Sequence, residues 1–403
     1  MKKIVIVFGR VYMGGTTEVA KMIGLGLAEK GYHVEFLILD KKAPGKDSLE
    51  ESKIMIHQVT KPAFESWTSY LKRVGQILSK YDGVIINGSF ARVAHAALEF
   101  TNPHVAIINV QHTAVLKKES AALTQNRWHA GIGVSRLIGD ALRAFYPEKR
   151  TDVILHGAQI PERDMVNLRD ESDPIFRIVY VGRLRETAKR VSRLPLIMKR
   201  LQEKSQSCHL DIVGDGPEKT NLEKSFADLG LTENVTFHGK VNREAVYRIL
   251  SKAHVSLLVS DFESFGLVLA EAQMCGAVPI ASKIIGATDE IIEDGINGFL
   301  CIPNEIESFV DRITQLNQHK ELWRKMSQKA IETSTEKFSL DRLANEYETV
   351  LNEIWSGKIS LELKTKNQVN GWKDRVEILA WPASGVKRVA RKIQFSIEEL
   401  IGG

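Results

Sequence analysis

The stretch Glu263-Ser-Phe-Gly-Leu-Val-Leu-Ala-Glu271 carries two carboxylates with seven residues between them. A short apolar run, Val255-Ser-Leu-Leu-Val259, precedes it, and Gly276 and a second run, Val278-Pro-Ile-Ala281, follow. The local reading is strand, turn, helix, strand. Gly266 stands near the predicted helix start and lets a ligand approach the backbone closely. Free amides at that end, with the helix dipole behind them, suit a phosphate. Eight residues of helix span about 12 Å, the reach from a hexose across a diphosphate to a ribose. On this reading Glu263 holds sugar hydroxyls, the Gly266 and Leu267 amides face the diphosphate, and Glu271 holds the ribose diol. A bare pair of acids at this spacing is more often two solvated charges on an amphipathic helix.

Outward from this stretch, short β-branched runs alternate with helix-length segments almost throughout, which predicts an α/β protein with parallel sheets and crossover helices. Strands are predicted at 4–8, 33–39, 54–57, 84–87, 105–110, 176–182, 209–213 and in the two runs above. The first of them runs into a glycine turn at Gly14-Gly15, which lets the backbone approach a diphosphate. Helices are predicted near 305–316, 322–333 and 340–355, and the polar segment Pro161–Pro174 reads as a linker. His112 falls just past the end of the strand at 105–110, where α/β proteins bind ligands. His129 and His156 are weaker candidates.

A chain of 403 residues supports two or three full-sized cores. Cys208, Cys275 and Cys301 are spread out and odd in number, which predicts neither a disulfide framework nor a zinc site and points to a reducing cytoplasm. The apolar run at the start is too short for the core of a signal peptide, and no run is long enough to span a bilayer. From Gly357 onward nine Lys/Arg face five acids, so four of the chain's five net positive charges lie in this tail. The nearly balanced remainder argues against a nucleic-acid partner.

With its flanking strand and Ala272-Gln-Met-Cys-Gly-Ala-Val-Pro279, the opening stretch resembles the donor-binding segment of family-4 retaining glycosyltransferases. The resemblance runs over about residues 3–355. It implies the GT-B fold, two Rossmann-like domains with parallel sheets facing a central cleft. The implied division is an acceptor-side domain at 1–165 and a nucleotide-sugar-binding domain at 166–339. A helix at 340–356 would cross back to the first domain, leaving the tail at 357–403. In such enzymes the diphosphate is gripped by an Arg and a Lys, here Arg183 and Lys189, and Arg190 lies close enough to substitute for the lysine. Gly214, Gly216 and Val241 match the nucleotide-base wall; Ser264, Phe265, Gly266, Leu267 and Glu271 match the rest of the donor site. His112, Glu263, Arg183 and Lys189 take the catalytic positions. Thr16-Thr17 separates Gly15 from Glu18, one residue more than the family's usual spacing, and His156 replaces the usual Asn before Gly157.

The implied activity is transfer of a hexose from a nucleotide-sugar donor to a glycan, lipid-linked or protein acceptor, in cell-surface polysaccharide or glycoconjugate synthesis. No cofactor and no metal are implied, because no Asp-x-Asp sequence follows a strand. A GT-B nucleotide-sugar epimerase, a phosphorylase and a catalytically silent partner subunit remain as alternatives. Acceptor choice is expected in loops such as Lys41–Glu51 and the region of Phe90–His95. In the tail, Val386, Val389, Ala390, Ile393 and Ile397 recur at helical spacing with Lys387, Arg388, Arg391 and Lys392 between them. Such a basic amphipathic helix fits either an anionic membrane surface or packing on the body, and the first would place a cytoplasmic enzyme on the inner face of the plasma membrane.

Overall fold

The computed structural model describes residues 1–12, 14–88, 91–113, 127–158, 166, 168–169 and 173–360. The expected linker lies mostly outside these residues; Phe90 and the tail from 361 onward lie wholly outside them. Among the described residues, β1 (Lys3–Phe8), β2 (His33–Ile38), β3 (Met55–Gln58), β4 (Gly83–Asn87), β5 (Ala106–Gln111), β6 (Ala130–Gly133) and β7 (Arg150–Val153) form one parallel sheet in the order β3-β2-β1-β4-β5-β6-β7. A second parallel sheet holds β8 (Phe176–Val181), β9 (Cys208–Val213), β10 (Val235–Gly239), β11 (Val255–Leu258), β12 (Val278–Ser282) and β13 (Phe299–Cys301) in the order β10-β9-β8-β11-β12-β13.

The first unit's helices are α1 (Gly15–Glu29), α2 (Lys46–Glu50), α3 (Trp67–Leu78), α4 (Arg92–Ala97) and α5 (Arg136–Phe145). The second unit has α6 (Arg193–Glu203), α7 (Lys219–Asp228), α8 (Arg243–Lys252), α9 (Leu267–Met274), α10 (Ile306–Gln318) and α11 (Lys320–Lys337), and α12 (Leu340–Trp355) follows. The segment Lys41–Glu51, expected as a loop, contains α2.

A parallel strand covered by helices on both faces reads as a continuous apolar run. In β1, Ile4 and Ile6 join a core with Met22 of α1 and Tyr347 of α12, while Val5 and Val7 join the opposite core with Leu71 of α3 and Ala94 of α4. On α12, Leu343, Tyr347, Val350, Leu351 and Ile354 recur at helical spacing and bury that face in the first unit's core. Ser339 caps its start by accepting from the Arg342 amide at 3.2 Å. Tyr32 donates to Glu348 at 2.8 Å, and the Trp355 indole donates to the Asp82 carbonyl at 3.0 Å.

Strand order reverses between β1 and β4 in the first sheet and between β8 and β11 in the second. Loops leaving the C-terminal strand ends diverge at such a switch point and open a crevice. The two units also touch beside these ends. The Leu137 amide donates to the Gly286 carbonyl at 3.0 Å, and Arg136 pairs with Asp289 at 3.0 Å.

Candidate active site

Arg183 leaves the end of β8 on a backbone held from beneath. The hydroxyl of buried Tyr180 donates to the Arg183 carbonyl at 3.1 Å, and the Leu184 amide donates to the Asp215 carbonyl at 3.0 Å. Gly214 has φ 137°, and a Cβ there would lie 1.9 Å from the Gly182 carbonyl oxygen. A Cβ at Gly216 would lie 2.2 Å from the Leu184 carbonyl oxygen. At these two glycines, expected at the nucleotide-base wall, two backbones approach closely beneath Arg183. Across the cleft, the space where Gly14 would carry a Cβ ends 3.0 Å from Arg183 Nη2. The glycine turn after β1 and the arginine after β8 therefore meet, as two loops at facing switch points must to share a ligand. Gly15 opens α1.

Lys189 lies in a loop with Ala188 at φ 70° and Arg190 at φ 49°. A left-handed non-glycine residue costs about 1–2 kcal/mol, so the surroundings must hold this loop. The Asp261 amide donates to the Ala188 carbonyl at 2.8 Å, and Arg190 Nε bonds Asp261 Oδ2. Arg193 clamps the same segment through the Val259 carbonyl at 2.6 Å. Arg190 is thus turned to Asp261, away from the role of substitute for Lys189. Lys189 Nζ donates to Glu263 Oε1 at 2.5 Å, and Ser260 Oγ donates to the same oxygen at 2.7 Å. The β8 loop and the β11 loop are joined through Lys189 and Glu263.

The helix of the opening stretch begins at Leu267, so Glu263 stands on the preceding loop and only Glu271 is helical. The helical part between the two acids is shorter than the eight residues expected, because the chain makes a left-handed turn at Gly266, φ 100°, to enter α9. Ser264, Gly266 and Leu267 are partly exposed at that end. The Phe265 ring is turned into the core. Only 3% of it is exposed, and it packs edge-on to Phe338 and His156 at 5.8 and 4.8 Å between centroids. Val241 is partly buried against the cluster of Tyr247 and Leu250. Burial pushes the Glu271 carboxyl up from its ordinary value, and Arg243 pulls it back. Arg243 Nη2 reaches Glu271 Oε1 at 2.8 Å.

His112 is oriented by Asn87, the last residue of β4. Asn87 Nδ2 donates to the Thr16 carbonyl at 3.1 Å, which turns Asn87 Oδ1 to His112 Nε2 at 2.7 Å. That network assigns the proton to Nε2. Burial lowers the His112 pKa to about 4, so the ring is neutral near pH 7. Its ring stacks 5.8 Å from buried His156. His129 is a core residue, its Nδ1 accepting from the Ile107 amide at 3.1 Å.

Sequence reasoning missed Asn87, Tyr180 and Arg243. Arg243 had a readable signal: an arginine in the first turn of a helix opposes the dipole and calls for an acidic partner. The structure brings together Gly14 with Arg183, Lys189 with Glu263, and His112 with His156 beside Phe265.

Residues 162–333 match the family described as Glycosyl transferases group 1. This segment is a group 1 glycosyl transferase domain. It contains Arg183, Lys189, Glu263 and Glu271 together. The chain is similar to N-acetyl-alpha-D-glucosaminyl L-malate synthase of Bacillus anthracis, 25% identical over 85% of this chain and 94% of that protein. Among solved structures it is similar to Anabaena HepE in complex with UDP and glucose, with TM-score 0.75, 19% identity, and 88% and 100% of the two chains covered. It is also similar to sucrose-phosphate synthase of Thermosynechococcus elongatus, with TM-score 0.71, 18% identity, and 89% and 100% covered. The glycosyl transferase domain and the unit before it therefore make the GT-B fold.

Proposed function

We propose that this glycosyltransferase moves a hexose from a nucleoside-diphosphate sugar to a glycan, lipid-linked or protein acceptor with retention of anomeric configuration. The observation that carries the reading is the meeting of Arg183 and Gly14, and of Lys189 and Glu263, at the facing switch points. The related HepE structures with UDP support the choice of a UDP-sugar as first donor. The diphosphate lies between the Gly14 turn and Arg183, with Lys189 and the start of α9 as further positive groups. Breaking the anomeric bond leaves negative charge on that diphosphate, and fixed cations and helix-end amides stabilise it as it develops. Glu263 accepts from sugar hydroxyls and Glu271 from the ribose diol, with the base beside the Val241 backbone. Neutral His112 offers a hydrogen-bonding ring at the acceptor side of the sugar. Attack from the face the nucleotide leaves, with the departing phosphate taking the acceptor's proton, gives retention.

The first test is a pair of variants. Glu271→Ala is expected to weaken UDP binding by about ten-fold or more, the worth of a hydrogen bond to a charged group. Glu263→Ala is expected to lower turnover of the UDP-sugar more than it weakens UDP binding, because its partner is the sugar. Isothermal titration with UDP and initial rates of UDP release measure the two effects; full activity of both variants at low donor concentration contradicts the assignment. Activity is also expected to survive a strong chelator, and loss in EDTA with recovery on adding a divalent ion contradicts the metal-free mechanism.

The basic tail is proposed to touch an anionic lipid surface, each Lys or Arg contributing about 1 kcal/mol there. No helix among the described residues is long and apolar enough to cross a membrane. Full-length protein is expected to sediment with anionic vesicles at low salt, and a chain ending at Ser356 to stay in solution. Equal binding by both chains, or no binding by the full one, rules the tail out as an anchor.

A further inference from the structure

We propose that Arg243 is a positioning residue that ties capture of the donor's ribose to the contact between the two units, by holding Glu271 with one guanidinium nitrogen and Glu18 of the first unit with another. The proposal rests on the reading of Glu271 as the ribose carboxylate.

Arg243 opens α8, whose cap Asn242 accepts from the Ala245 amide at 2.9 Å. All three of its guanidinium nitrogens are engaged. Nε donates to Tyr247 Oη at 2.9 Å, Nη2 donates to Glu271 Oε1 at 2.8 Å, and Nη1 pairs with Glu18 Oε2. Tyr247 lies one turn along the same helix and fixes the plane of the fork. Glu18 lies on α1, in the unit that carries the Gly14 turn. It is held in its turn by Lys21 at 3.2 Å and by the Ser48 hydroxyl. Lys21 also reaches Glu51 at 2.9 Å, just beyond α2. One continuous set of charge-assisted contacts thus runs from Glu271, across the cleft, to the segment Lys41–Glu51.

These side chains are mostly sequestered, with 18% of Arg243, 21% of Glu18 and 13% of Glu271 exposed. Buried ion pairs contribute little net stability, because desolvation offsets attraction; their better-attested use is to fix one arrangement. Two carboxylates on different units share this one guanidinium, so without it they repel and the contact loosens. Glu271 Oε2 takes no hydrogen bond among the described residues, so Arg243 holds one oxygen of the carboxylate while the other is left for the diol. A lysine cannot do this, since its single nitrogen lacks the planar fork that spans two acids and a hydroxyl.

The charge on Glu271 also depends on this arrangement. Facing it are Arg243 and Tyr247 from α8, Glu18 and Lys21 from α1, and Cys275 at the end of its own helix. Arg243 and Lys21 favour the carboxylate; burial and Glu18 oppose it. An ionised Glu271 is needed to accept from the diol, so affinity falls as pH drops through its pKa. Removing Arg243 moves that fall to higher pH.

The experiment is isothermal titration of UDP into the full-length protein across a pH series. The chains compared are wild type, Glu271→Ala, Arg243→Met, Arg243→Lys, Glu18→Gln and the double variant Glu18→Gln/Arg243→Lys, each checked by thermal melting. Arg243→Met is expected to weaken UDP by about ten-fold or more and to shift the acid limb upward. Arg243→Lys keeps the positive charge, so its acid limb stays near wild type while its affinity falls. Glu18→Gln, which lies outside the ribose subsite, is expected to weaken UDP in the Arg243 background and to have a smaller effect in the Arg243→Lys background. Should Arg243→Met not fold, the lysine variant and the cycle with Glu18→Gln decide alone. UDP affinity lost in Glu271→Ala but unchanged in the Arg243 and Glu18 variants overturns the role of Arg243 only, as do equal Glu18→Gln losses in both backgrounds. Unchanged affinity in Glu271→Ala overturns the donor-site reading and the role of Arg243 with it.

Discussion

Arg183→Ala is expected to lower turnover of the nucleotide-sugar donor by about 10²–10³-fold, the usual cost of removing one fixed donor from a site of developing negative charge. Arg190→Ala is expected to stay far closer to wild type. The two arginines are both exposed and stand close in sequence, yet the structure gives them different neighbours. Arg183 faces the glycine turn after β1, with a backbone pinned by Tyr180 and by the Gly214 approach. Arg190 pairs with Asp261 and lies near Glu186 at 3.7 Å. Losing it costs loop rigidity, since Asp261 also anchors Ala188, but leaves Arg183 in place. Initial rates of UDP release under saturating donor check the ranking. Equal losses from both substitutions contradict it and imply that the cations of this loop act as a diffuse field.

Stability is expected to fall as pH drops below about 6.5. Burial lowers the pKa of His95 to about 3 and that of His129, His112 and His254 to about 4, and carries His156 well below its ordinary value. In the unfolded chain each of these rings titrates near 6.5. Above that value neither state is protonated and the groups do not affect stability. As pH falls below it, the unfolded chain takes protons that the folded chain refuses, so each histidine removes about 1.4 kcal/mol per pH unit until its folded pKa is reached. The losses from the five histidines have the same sign, so stability falls steadily as pH drops below about 6.5. His95 shows the cause most plainly, since neither ring nitrogen has a hydrogen-bond partner among the described residues. His95→Leu is expected to leave stability near neutrality unchanged or raised and to flatten its fall in acid. Urea melts from about pH 7.5 to 4.5 read both effects, and constant stability down to the lower limit contradicts the account.

The alternation of apolar runs and helix-length segments was enough to read both parallel sheets, because strands buried on two faces leave uninterrupted runs such as Ile4–Phe8. Glu263 was legible as a site candidate because it follows such a run closely, where strand ends open, and Arg183 through the family resemblance. The reach of the opening stretch was less legible. A pattern of good helix formers does not show that Gly266 must turn left-handed before the helix starts, nor that Phe265 turns into the core. That Gly214 and Gly216 lie against another backbone, at Gly182 and Leu184, was not legible in the sequence. Arg243 was the largest omission. Its partners Glu18 and Glu271 lie on two other helices, in separate units, and only the packing of the units joins them.

The central claim is that a nucleotide diphosphate binds between the facing strand ends of the two sheets. Hydrogen–deuterium exchange of the full-length protein, with and without saturating UDP, tests it most directly, because amide protection reports where the ligand sits independently of any acceptor. The account predicts slower exchange in the Gly14–Glu18 turn, at Arg183–Arg190, near Val241 and across Glu263–Glu271, with little change on α3 and α10. UDP protection confined to other parts of the chain, or no protection at saturation, would contradict it.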